Sequence, residues 1–379
     1  MCSIKVMSIF GTRPEAIKMV PLIKKMEKDN RFTSIVVVTA QHREMLDQVL
    51  EQFNILPDYD LDLMENNQTL TSITTGILKN LTPILLKEKP DLVLVHGDTT
   101  TTYASALAAF YQQIKIGHVE AGLRTWNKCS PYPEEANRQL TDILSDLYFA
   151  PTERSKENLE KENHSLDRIY ITGNTAIDTM KYTIKEKYSH PYLPELKENG
   201  KMVVVTMHRR ENLGKPMENV CRAIYRIASS YPNIEFVFPM HRNPKVREKV
   251  VKILGDLPNI HLIEPLDVVD FHNFIARSYM ILTDSGGVQE EAPSLGVPVL
   301  VLRDTTERPE GVAANTLKLV GTNEENVYRE IKNLIENENN HRNMAQASNP
   351  YGDGRASERI IEAIANEFHH LSDGISGDV

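Results

Sequence analysis

Short apolar runs alternate with amphipathic segments along most of the chain, and no other feature restricts the fold as strongly. Two series of six runs predict strands at 4–10, 34–39, 91–96, 115–119, 147–150 and 168–172, and at 201–206, 234–238, 260–263, 279–283, 297–302 and 316–320. Helical periodicity lies between them, for example at 16–28, 44–53, 70–86, 101–111, 216–230 and 326–336. Such alternation is typical of parallel sheets covered by helices. The sequence therefore predicts an α/β fold with two doubly wound, Rossmann-like domains.

The length of 379 residues agrees with two domains, since one domain usually holds about 100–200 residues. We expect a first domain at 1–174 and a second at 175–356, with a C-terminal helix at 357–379 that packs back on the first. The polar stretch 182–200, which contains Pro191 and Pro194, is the best candidate for a linker.

Polar side chains follow the predicted strands at their carboxyl ends, where open parallel sheets bind ligands. In the first half these segments are Gly11-Thr12-Arg13-Pro14-Glu15 with Lys18 a turn later, Ala40-Gln41-His42-Arg43, His96-Gly97-Asp98-Thr99-Thr100 and Glu120-Ala121-Gly122-Leu123-Arg124. In the second half they are Met207-His208-Arg209-Arg210-Glu211-Asn212, Met240-His241-Arg242-Asn243 and Ser285-Gly286-Gly287. Two sheets that point these ends at one another would enclose a central cleft rich in arginine, histidine and carboxylates.

The turn at Ser285-Gly286-Gly287 lies between an apolar run and a helix that begins near Val288. Bare backbone N–H groups and the positive end of a helix dipole suit a phosphate at such a turn. Glu290 or Glu291, one turn into the helix, could accept hydrogen bonds from a ribose diol. A tight turn that binds nothing is the alternative, because a short glycine pair is a weak motif.

The net charge of −9 argues against general binding of nucleic acid or anionic membranes. An anionic ligand must then be met by a local basic pocket, and a diphosphate could be neutralised by Arg13, Lys18, His208, Arg209 and Arg210. The three cysteines, Cys2, Cys129 and Cys221, are widely spaced and fit a reducing cytosol. No run reaches the ~20 apolar residues of a membrane span.

Three carboxylates are candidate acids and bases. Asp98 and Glu120 follow apolar runs where solvation is difficult, and Glu134 starts a helix after Pro133. A pair of acidic residues at a helix start, Glu134 with Glu135, is the structural alternative. The spacing of histidines and cysteines does not match a metal motif, and the first strand is not followed by GxGxxG.

Six segments stand in order along the chain: Gly11-Thr12-Arg13-Pro14-Glu15-Ala16, His96-Gly97-Asp98-Thr99-Thr100-Thr101, Val119-Glu120-Ala121-Gly122-Leu123-Arg124, Pro133-Glu134-Glu135, Thr206-Met207-His208-Arg209-Arg210-Glu211-Asn212 and Thr283-Asp284-Ser285-Gly286-Gly287-Val288-Gln289-Glu290-Glu291. Together they resemble the bacterial non-hydrolysing UDP-N-acetylglucosamine 2-epimerases, over about nine-tenths of the chain. The resemblance implies the GT-B architecture of two Rossmann-like domains, a homodimer, and cytoplasmic synthesis of precursors for cell-surface polysaccharides. It implies no cofactor and no metal, and its partners are UDP-N-acetylglucosamine and UDP-N-acetylmannosamine, with no nucleic acid and no membrane.

The implied reaction inverts C2 by eliminating UDP to 2-acetamidoglucal and adding it back. The family's catalytic carboxylates match Asp98, Glu120 and Glu134, and which of them is base and which is acid stays open. Its diphosphate contacts match Arg13, His208, Ser285, Gly286 and Gly287, with Lys18 close by and His208 also counted as catalytic. Glu291 matches the ribose ligand. Phe271 resembles the residue beside uracil, with a core phenylalanine as the alternative.

Some relatives bind a second UDP-N-acetylglucosamine as an activator, and the matching positions are Gln41, Glu44, Gln68, Arg210 and His241. Relatives often carry Gln at the position of Glu44 and Arg at that of Asn67. A gained carboxylate and a lost cation should weaken anion binding here.

Three other functions fit parts of the sequence. A GT-B glycosyltransferase would use the same nucleotide site, but we find no segment suited to an acceptor. A hydrolysing epimerase would release N-acetylmannosamine and UDP. A non-enzymatic sensor of nucleotide sugars would have no use for carboxylates beside an anion.

Overall fold

The computed structural model describes residues 3–40, 43–64, 68–209, 212–240 and 243–375. The chain divides into two compact units: unit 1 comprises Met1–Thr179 and Tyr351–Val379, and unit 2 comprises Met180–Pro350. The crossings therefore lie at 179/180 and 350/351, compared with 174/175 and 356/357 in the prediction.

Unit 1 is built on a parallel sheet of seven strands. These are β1 (Ile4–Phe10), β2 (Phe32–Val38), β3 (Tyr59–Asp60), β4 (Leu92–His96), β5 (Lys115–Val119), β6 (Leu147–Ala150) and β7 (Ile169–Ile171), in the order β3-β2-β1-β4-β5-β6-β7. Its helices are α1 (Arg13–Met26), α2 (Arg43–Gln52), α3 (Leu70–Glu88), α4 (Thr100–Tyr111), α5 (Glu134–Leu144), α6 (Glu153–Lys161) and α7 (Thr175–Thr183), which continues into unit 2.

Unit 2 repeats this plan with six parallel strands. These are β8 (Lys201–Thr206), β9 (Ile234–Pro239), β10 (Ile260–Ile263), β11 (Met280–Thr283), β12 (Val299–Val301) and β13 (Leu317–Leu319), in the order β10-β9-β8-β11-β12-β13. Its helices are α8 (Lys215–Ser230), α9 (Pro244–Leu254), α10 (Val268–Ala276), α11 (Gly286–Glu291), α12 (Pro309–Ala313), α13 (Glu324–Glu336) and α14 (Glu338–Ala345).

The central strands are largely apolar because both faces of each sheet are covered. In β8, Val203 and Val205 belong to one buried cluster, while Met202 and Val204 belong to the cluster on the opposite face. Successive side chains of a strand point to opposite faces, so a strand buried on both faces reads as a continuous apolar run. The predicted α/β class with two doubly wound, Rossmann-like domains is confirmed.

Two details differ from the prediction. The sequence analysis did not predict β3, a two-residue edge strand that pairs with Val37 and Val38 and is too short to show a pattern. The stretch 182–200 was predicted to be a linker, but from residue 184 it is irregular backbone that packs within unit 2. There Tyr188 lies against the core and its hydroxyl donates to Asp270 at 2.7 Å.

The last helix, α15 (Ala356–Ile375), packs on α1 of unit 1. Lys25 of α1 donates to Glu358 at 2.9 Å, and Arg31 forms a two-pronged pair with Glu362. The start of α15 is capped by the buried Asp178, which accepts from the backbone of Ala356 and Ser357.

Candidate active site

Each sheet has one point where the strand order reverses, between β1 and β4 in unit 1 and between β8 and β11 in unit 2. The segments that leave neighbouring strands in opposite directions open a crevice at such a point, and doubly wound sheets bind ligands there. Most of the candidate residues follow these strands or β5.

In unit 1 the carboxylate of Glu120 lies at the centre of a polar cluster. Lys18 Nζ lies 2.5 Å from its Oε1, and the same oxygen accepts from Asn174 Nδ2 at 3.0 Å. The side chain is largely buried, and its backbone is in the left-handed region with φ of 67°. Strain of this kind, about 1–3 kcal/mol, is found where a site requires a side chain in one direction. Lys18, predicted to lie near the diphosphate contacts, and Glu120, predicted to be a catalytic carboxylate, are thus in direct contact.

His96 at the end of β4 lies beside Glu120, with its Nε2 3.4 Å from Oε2 of the carboxylate. Both ring nitrogens are buried and lack a hydrogen-bond partner. Burial lowers the pKa of His96 to about 3, although the charge of Glu120 acts in the opposite direction. The ring is therefore neutral at physiological pH.

The loop that carries Glu120 rests on a buried ionic network. Asp142 lies 2.6 Å from Nδ1 of His118 and 2.5 Å from Arg124, and Nε2 of His118 lies 2.7 Å from the carbonyl oxygen of Gly97. Burial alone would raise the pKa of Asp142, but its interactions with His118 and Arg124 lower it. The network ties the segments after β4 and β5 to helix α5.

Asp98 is held by α5. Its Oδ2 accepts from Arg138 at 2.6 Å, and its carbonyl oxygen accepts from the side chain of Asn137 at 2.9 Å. Arg138 also pairs with Glu135 at 3.0 Å. These contacts fix Asp98 relative to the helix on which Glu134 lies.

Glu134 and Glu135 have different surroundings although they are adjacent. Glu135 is buried and accepts from the backbone N–H groups of Thr125 and Trp126 at 3.0 Å each, so it organises the preceding loop. Burial would raise the pKa of Glu135, but these hydrogen bonds and Arg138 lower it. Glu134 has one buried oxygen, Oε2, without a hydrogen-bond partner.

Glu15 joins the segments after β1 and β4. One oxygen accepts from Gly11 N at 3.1 Å, Thr12 N at 2.8 Å and Thr12 Oγ1 at 2.7 Å. The other oxygen lies 2.7 Å from Thr99 Oγ1 and 3.1 Å from Thr102 Oγ1. Burial raises the pKa of Glu15 in spite of these hydrogen bonds. Arg13, the first residue of α1, is thereby anchored beside the segment that carries Asp98.

In unit 2 the corresponding carboxylate is Asp284, which follows β11. It accepts from the backbone N–H groups of His208 at 3.1 Å and Arg209 at 3.0 Å, and from Asn212 Nδ2 at 2.9 Å. Burial would raise the pKa of Asp284, but hydrogen bonds from His208 and Asn212 lower it. The predicted residues His208 and Ser285 are thus brought to one place.

The turn after Asp284 lies beside arginine side chains. Gly286 and Gly287 start α11, and a Cβ atom on Gly286 would lie 3.6 Å from the guanidinium of Arg308 and 3.9 Å from that of Arg209. Arg308 also pairs with the buried Glu290. Two guanidinium groups therefore lie near Gly286, of which the sequence analysis identified only Arg209.

Glu291 lies at the end of α11, largely buried, with Oε2 3.6 Å from Nε2 of His272. The ring of His272 is held by Thr183 at 2.8 Å. Phe271 is partly buried and packs against the apolar core of unit 2. This contact agrees with the alternative of a core phenylalanine and leaves the uracil contact a prediction.

The activator positions are only partly described. Gln41, Arg210 and His241 lie outside the described residues. Glu44 is exposed in the first turn of α2, and Gln68 donates to the carbonyl oxygen of Leu63 at 2.9 Å.

Several residues of these sites were not predicted to be functional, among them Glu15, Arg138, Asn174, Asp284 and Arg308. Glu15 and Asp284 lie inside recognised motifs, and Thr12 with Glu15 three residues later is a capping-box signal. Arg138, Asn174 and Arg308 carry no local signal, since their partners are distant in sequence.

Two negative findings apply to the described ranges alone. They contain no group of three or more His, Cys, Asp or Glu side chains placed to hold a metal ion. None of their helices is both long and apolar enough to cross a membrane.

Comparison with known proteins identifies a family. Residues 24–365 match the family model described as UDP-N-acetylglucosamine 2-epimerase. The chain is 59% identical to the UDP-N-acetylglucosamine 2-epimerase of Bacillus subtilis over 370 residues, which is 98% of this chain and 97% of the relative. The crystal structure of a putative UDP-N-acetylglucosamine 2-epimerase from Listeria monocytogenes superimposes with a TM-score of 0.94 at 56% identity, covering 97% and 98% of the two chains. The Neisseria meningitidis enzyme bound to UDP-GlcNAc superimposes with a TM-score of 0.88 at 50% identity, covering 96% and 100%.

Proposed function

Because the chain belongs to the UDP-N-acetylglucosamine 2-epimerase family, we propose that it interconverts UDP-N-acetylglucosamine and UDP-N-acetylmannosamine without hydrolysis. One observation carries the proposal. Asp98 follows β4 and pairs with Arg138, Glu120 follows β5 and pairs with Lys18, and Glu134 starts α5 with one buried oxygen that lacks a hydrogen-bond partner. Carboxylates gathered at the carboxyl ends of strands, beside histidine and lysine, suit proton transfer to and from carbon.

The chemistry explains why such groups are needed. The hydrogen at C2 of the sugar is not adjacent to a carbonyl, so direct removal of that proton is unfavourable. When the C1–O bond to UDP breaks, its electron pair leaves with the phosphate and the ring becomes oxocarbenium-like. A base then removes the C2 proton to give 2-acetamidoglucal and UDP. Return of a proton to the opposite face, and of UDP to C1, completes the inversion.

The two units supply different parts of this chemistry. Unit 1 supplies the proton-transferring groups: Glu120 with Lys18, Asp98 with Arg138, and Glu134. We assign Arg13, His208, Ser285, Gly286 and Gly287 to the diphosphate, because cations and free backbone N–H groups stabilise the charge of the departing UDP. Arg308 joins this group through its place over Gly286. Glu291 binds the ribose, and Phe271 packs near the uracil.

The decisive experiment is incubation with UDP-N-acetylglucosamine in deuterated water, followed by proton and phosphorus NMR. Exchange of deuterium into C2 of a sugar that is still joined to UDP is expected. Free N-acetylmannosamine with UDP would instead establish the hydrolysing reaction, and recovery of unlabelled substrate would overturn the proposal. When carboxylate variants are tested in the same way, Glu325→Gln is their matched control, because it removes a carboxylate from a surface pair with Arg226 in unit 2.

Further properties belong to the same proposal. We expect a cytoplasmic homodimer that supplies UDP-N-acetylmannosamine for cell-surface polysaccharides, and light scattering of the purified protein tests the dimer. Activation by UDP-N-acetylglucosamine through Gln41, Glu44, Gln68, Arg210 and His241 predicts a lag when UDP-N-acetylmannosamine is the only substrate. A linear progress curve that trace UDP-N-acetylglucosamine does not change would exclude activation.

A further inference from the structure

One carboxylate in unit 2 holds a single histidine at two points. Oδ1 of Asp284 accepts from the backbone N–H of His208 at 3.1 Å and lies 3.2 Å from Nδ1 of the same residue's ring. The carboxylate is buried, while the side chain of His208 is 50% exposed. The Nδ1 edge of the ring therefore faces the carboxylate.

A carboxylate can only accept hydrogen bonds, so a ring nitrogen that lies against it must carry a proton. The remaining contacts of Asp284 keep it in this state. Its Oδ2 accepts from the backbone N–H groups of His208 and Arg209 and from Asn212 Nδ2, and none of these N–H groups can accept in return. Nothing in this set of donors favours a neutral carboxylic acid.

We propose that Asp284 is a positioning residue that keeps the His208 ring protonated on Nδ1, so that the ring contacts its ligand through Nε2. Nε2 is then an acceptor in the neutral ring, and Nε2–H is a donor in the doubly protonated ring. The nature of the ligand rests on the proposed function, in which the departing diphosphate accepts from Nε2–H. The protonated nitrogen itself can be observed without any ligand.

Asp284→Asn is the informative change. The amide keeps one oxygen for the backbone N–H groups of His208 and Arg209, so the segment after β8 retains its acceptor. Its NH₂ group replaces Oδ1 and must donate to Nδ1, which then gives up its proton. The variant should hold the neutral ring in the opposite tautomer, with the proton on Nε2.

The test is ¹⁵N NMR of protein labelled at histidine nitrogen, recorded without substrate at a pH where the ring is neutral. His208→Gln identifies the signals of His208. We expect protonation of Nδ1 in the wild type and of Nε2 in Asp284→Asn. Protonation of Nε2 in the wild type, or the same nitrogen protonated in both proteins, would overturn the proposal.

Activity gives a second readout. In Asp284→Asn the kcat should fall about 100-fold with KM within about threefold, because a ring that accepts at Nδ1 stays neutral and the departing diphosphate loses a cation. Glu325→Gln removes a distant carboxylate of unit 2 and should change neither the tautomer nor kcat. If Asp284→Asn is too unstable to label, Asn212→Ala loosens Oδ2 but leaves the carboxylate against Nδ1. It should keep the wild-type tautomer, and loss of that tautomer would also refute the proposal.

The outcome is separable from the proposed function. A tautomer switch with no epimerase activity in the wild type would leave the positioning role intact and remove the reaction. Epimerase activity with an unchanged tautomer would do the opposite.

Discussion

The two sheets each use one buried carboxylate to join the segments at their switch point, but these two bridging carboxylates, Glu15 and Asp284, meet different donors. In unit 1 Glu15 follows β1 and reaches Thr99 and Thr102 after β4. In unit 2 Asp284 follows β11 and reaches His208 after β8, so the direction is reversed. The shared strand order explains the common position, because the first and fourth strands are neighbours in both sheets.

The groups that donate to each carboxylate determine its pKa and how well its conversion to an amide is tolerated. One oxygen of Glu15 faces two hydroxyls, which can accept as well as donate, and the proton of Thr102 is already directed at the carbonyl oxygen of His96 at 2.6 Å. Asp284 faces N–H groups and one imidazole. Burial accordingly raises the pKa of Glu15, whereas at Asp284 hydrogen bonds outweigh burial and lower the pKa. Conversion of the carboxylate to an amide should therefore only rotate hydroxyl groups in unit 1. In unit 2 it should change which nitrogen of the His208 ring carries the proton.

The largest losses of kcat should come from changes to the candidate catalytic carboxylates of unit 1. Asp98→Asn, Glu120→Gln and Glu134→Gln should each lower kcat by roughly 100-fold or more, since each removes a proton-transferring group. Steady-state kinetics measure the loss, and an unchanged thermal midpoint shows that folding is intact. Near wild-type turnover in one variant would remove that residue from the mechanism.

The next largest effect on kcat is expected when the two bridging carboxylates are each converted to an amide. Asp284→Asn should lower kcat about 100-fold, while Glu15→Gln should stay within about threefold, because only the first change alters a ring that is assigned to the diphosphate. Both are assayed under the same saturating conditions. Equal losses would show that the two bridging carboxylates act alike and would break the distinction drawn from their donors.

Truncation of Glu15 should affect stability more than its conversion to an amide does. Glu15→Ala leaves the N–H groups of Gly11 and Thr12 without their acceptor, and a buried unsatisfied donor costs about 1–3 kcal/mol. Urea unfolding should show this loss in Glu15→Ala and much less in Glu15→Gln. Equal destabilisation would mean that the charge of Glu15, and not its accepting oxygens, holds the two segments.

The smallest effect is a difference in pH dependence. A folded-state pKa of Glu15 raised above 4.5 means that wild-type stability falls relative to Glu15→Gln as pH rises from 4.5. The lowered pKa of Asp284 acts with the opposite sign: its contribution is present above 3.8 and is lost as pH falls below that value. Urea unfolding between pH 4 and 7 should show the Glu15→Gln advantage growing with pH. A constant difference would contradict the raised pKa.

Local patterns predicted most of the fold. The apolar runs gave the ends of β1, β5, β6, β8 and β10 to the residue, because a strand buried on both faces interrupts polar sequence abruptly. An edge strand of two residues, β3, makes no such interruption and was missed. The stretch 182–200 is polar and rich in proline, and a linker and a packed irregular segment look alike in sequence.

The residues of the candidate site were likewise predicted only in part. Most motif residues on which the proposed chemistry depends were named because they follow a strand end, whereas Glu134 was named at a helix start. The residues that hydrogen-bond to them were not predicted, since Arg138 and Asp98 lie 40 positions apart in the sequence and Asn174 and Glu120 lie 54 apart. Separations of that size leave no periodic trace in a single sequence.

The sequence by itself determined two parallel, doubly wound sheets and the polar residues at their carboxyl ends, because burial on both faces and strand-to-helix turns depend on neighbouring residues. Only the tertiary structure decided which residues meet there: Glu120 with Lys18, Asp98 with Arg138, and His208 with Asp284. Hydrogen bonds and ion pairs depend on distances of about 3 Å between atoms. Such distances are fixed by packing and by strand order, which bring together segments that lie far apart in the chain.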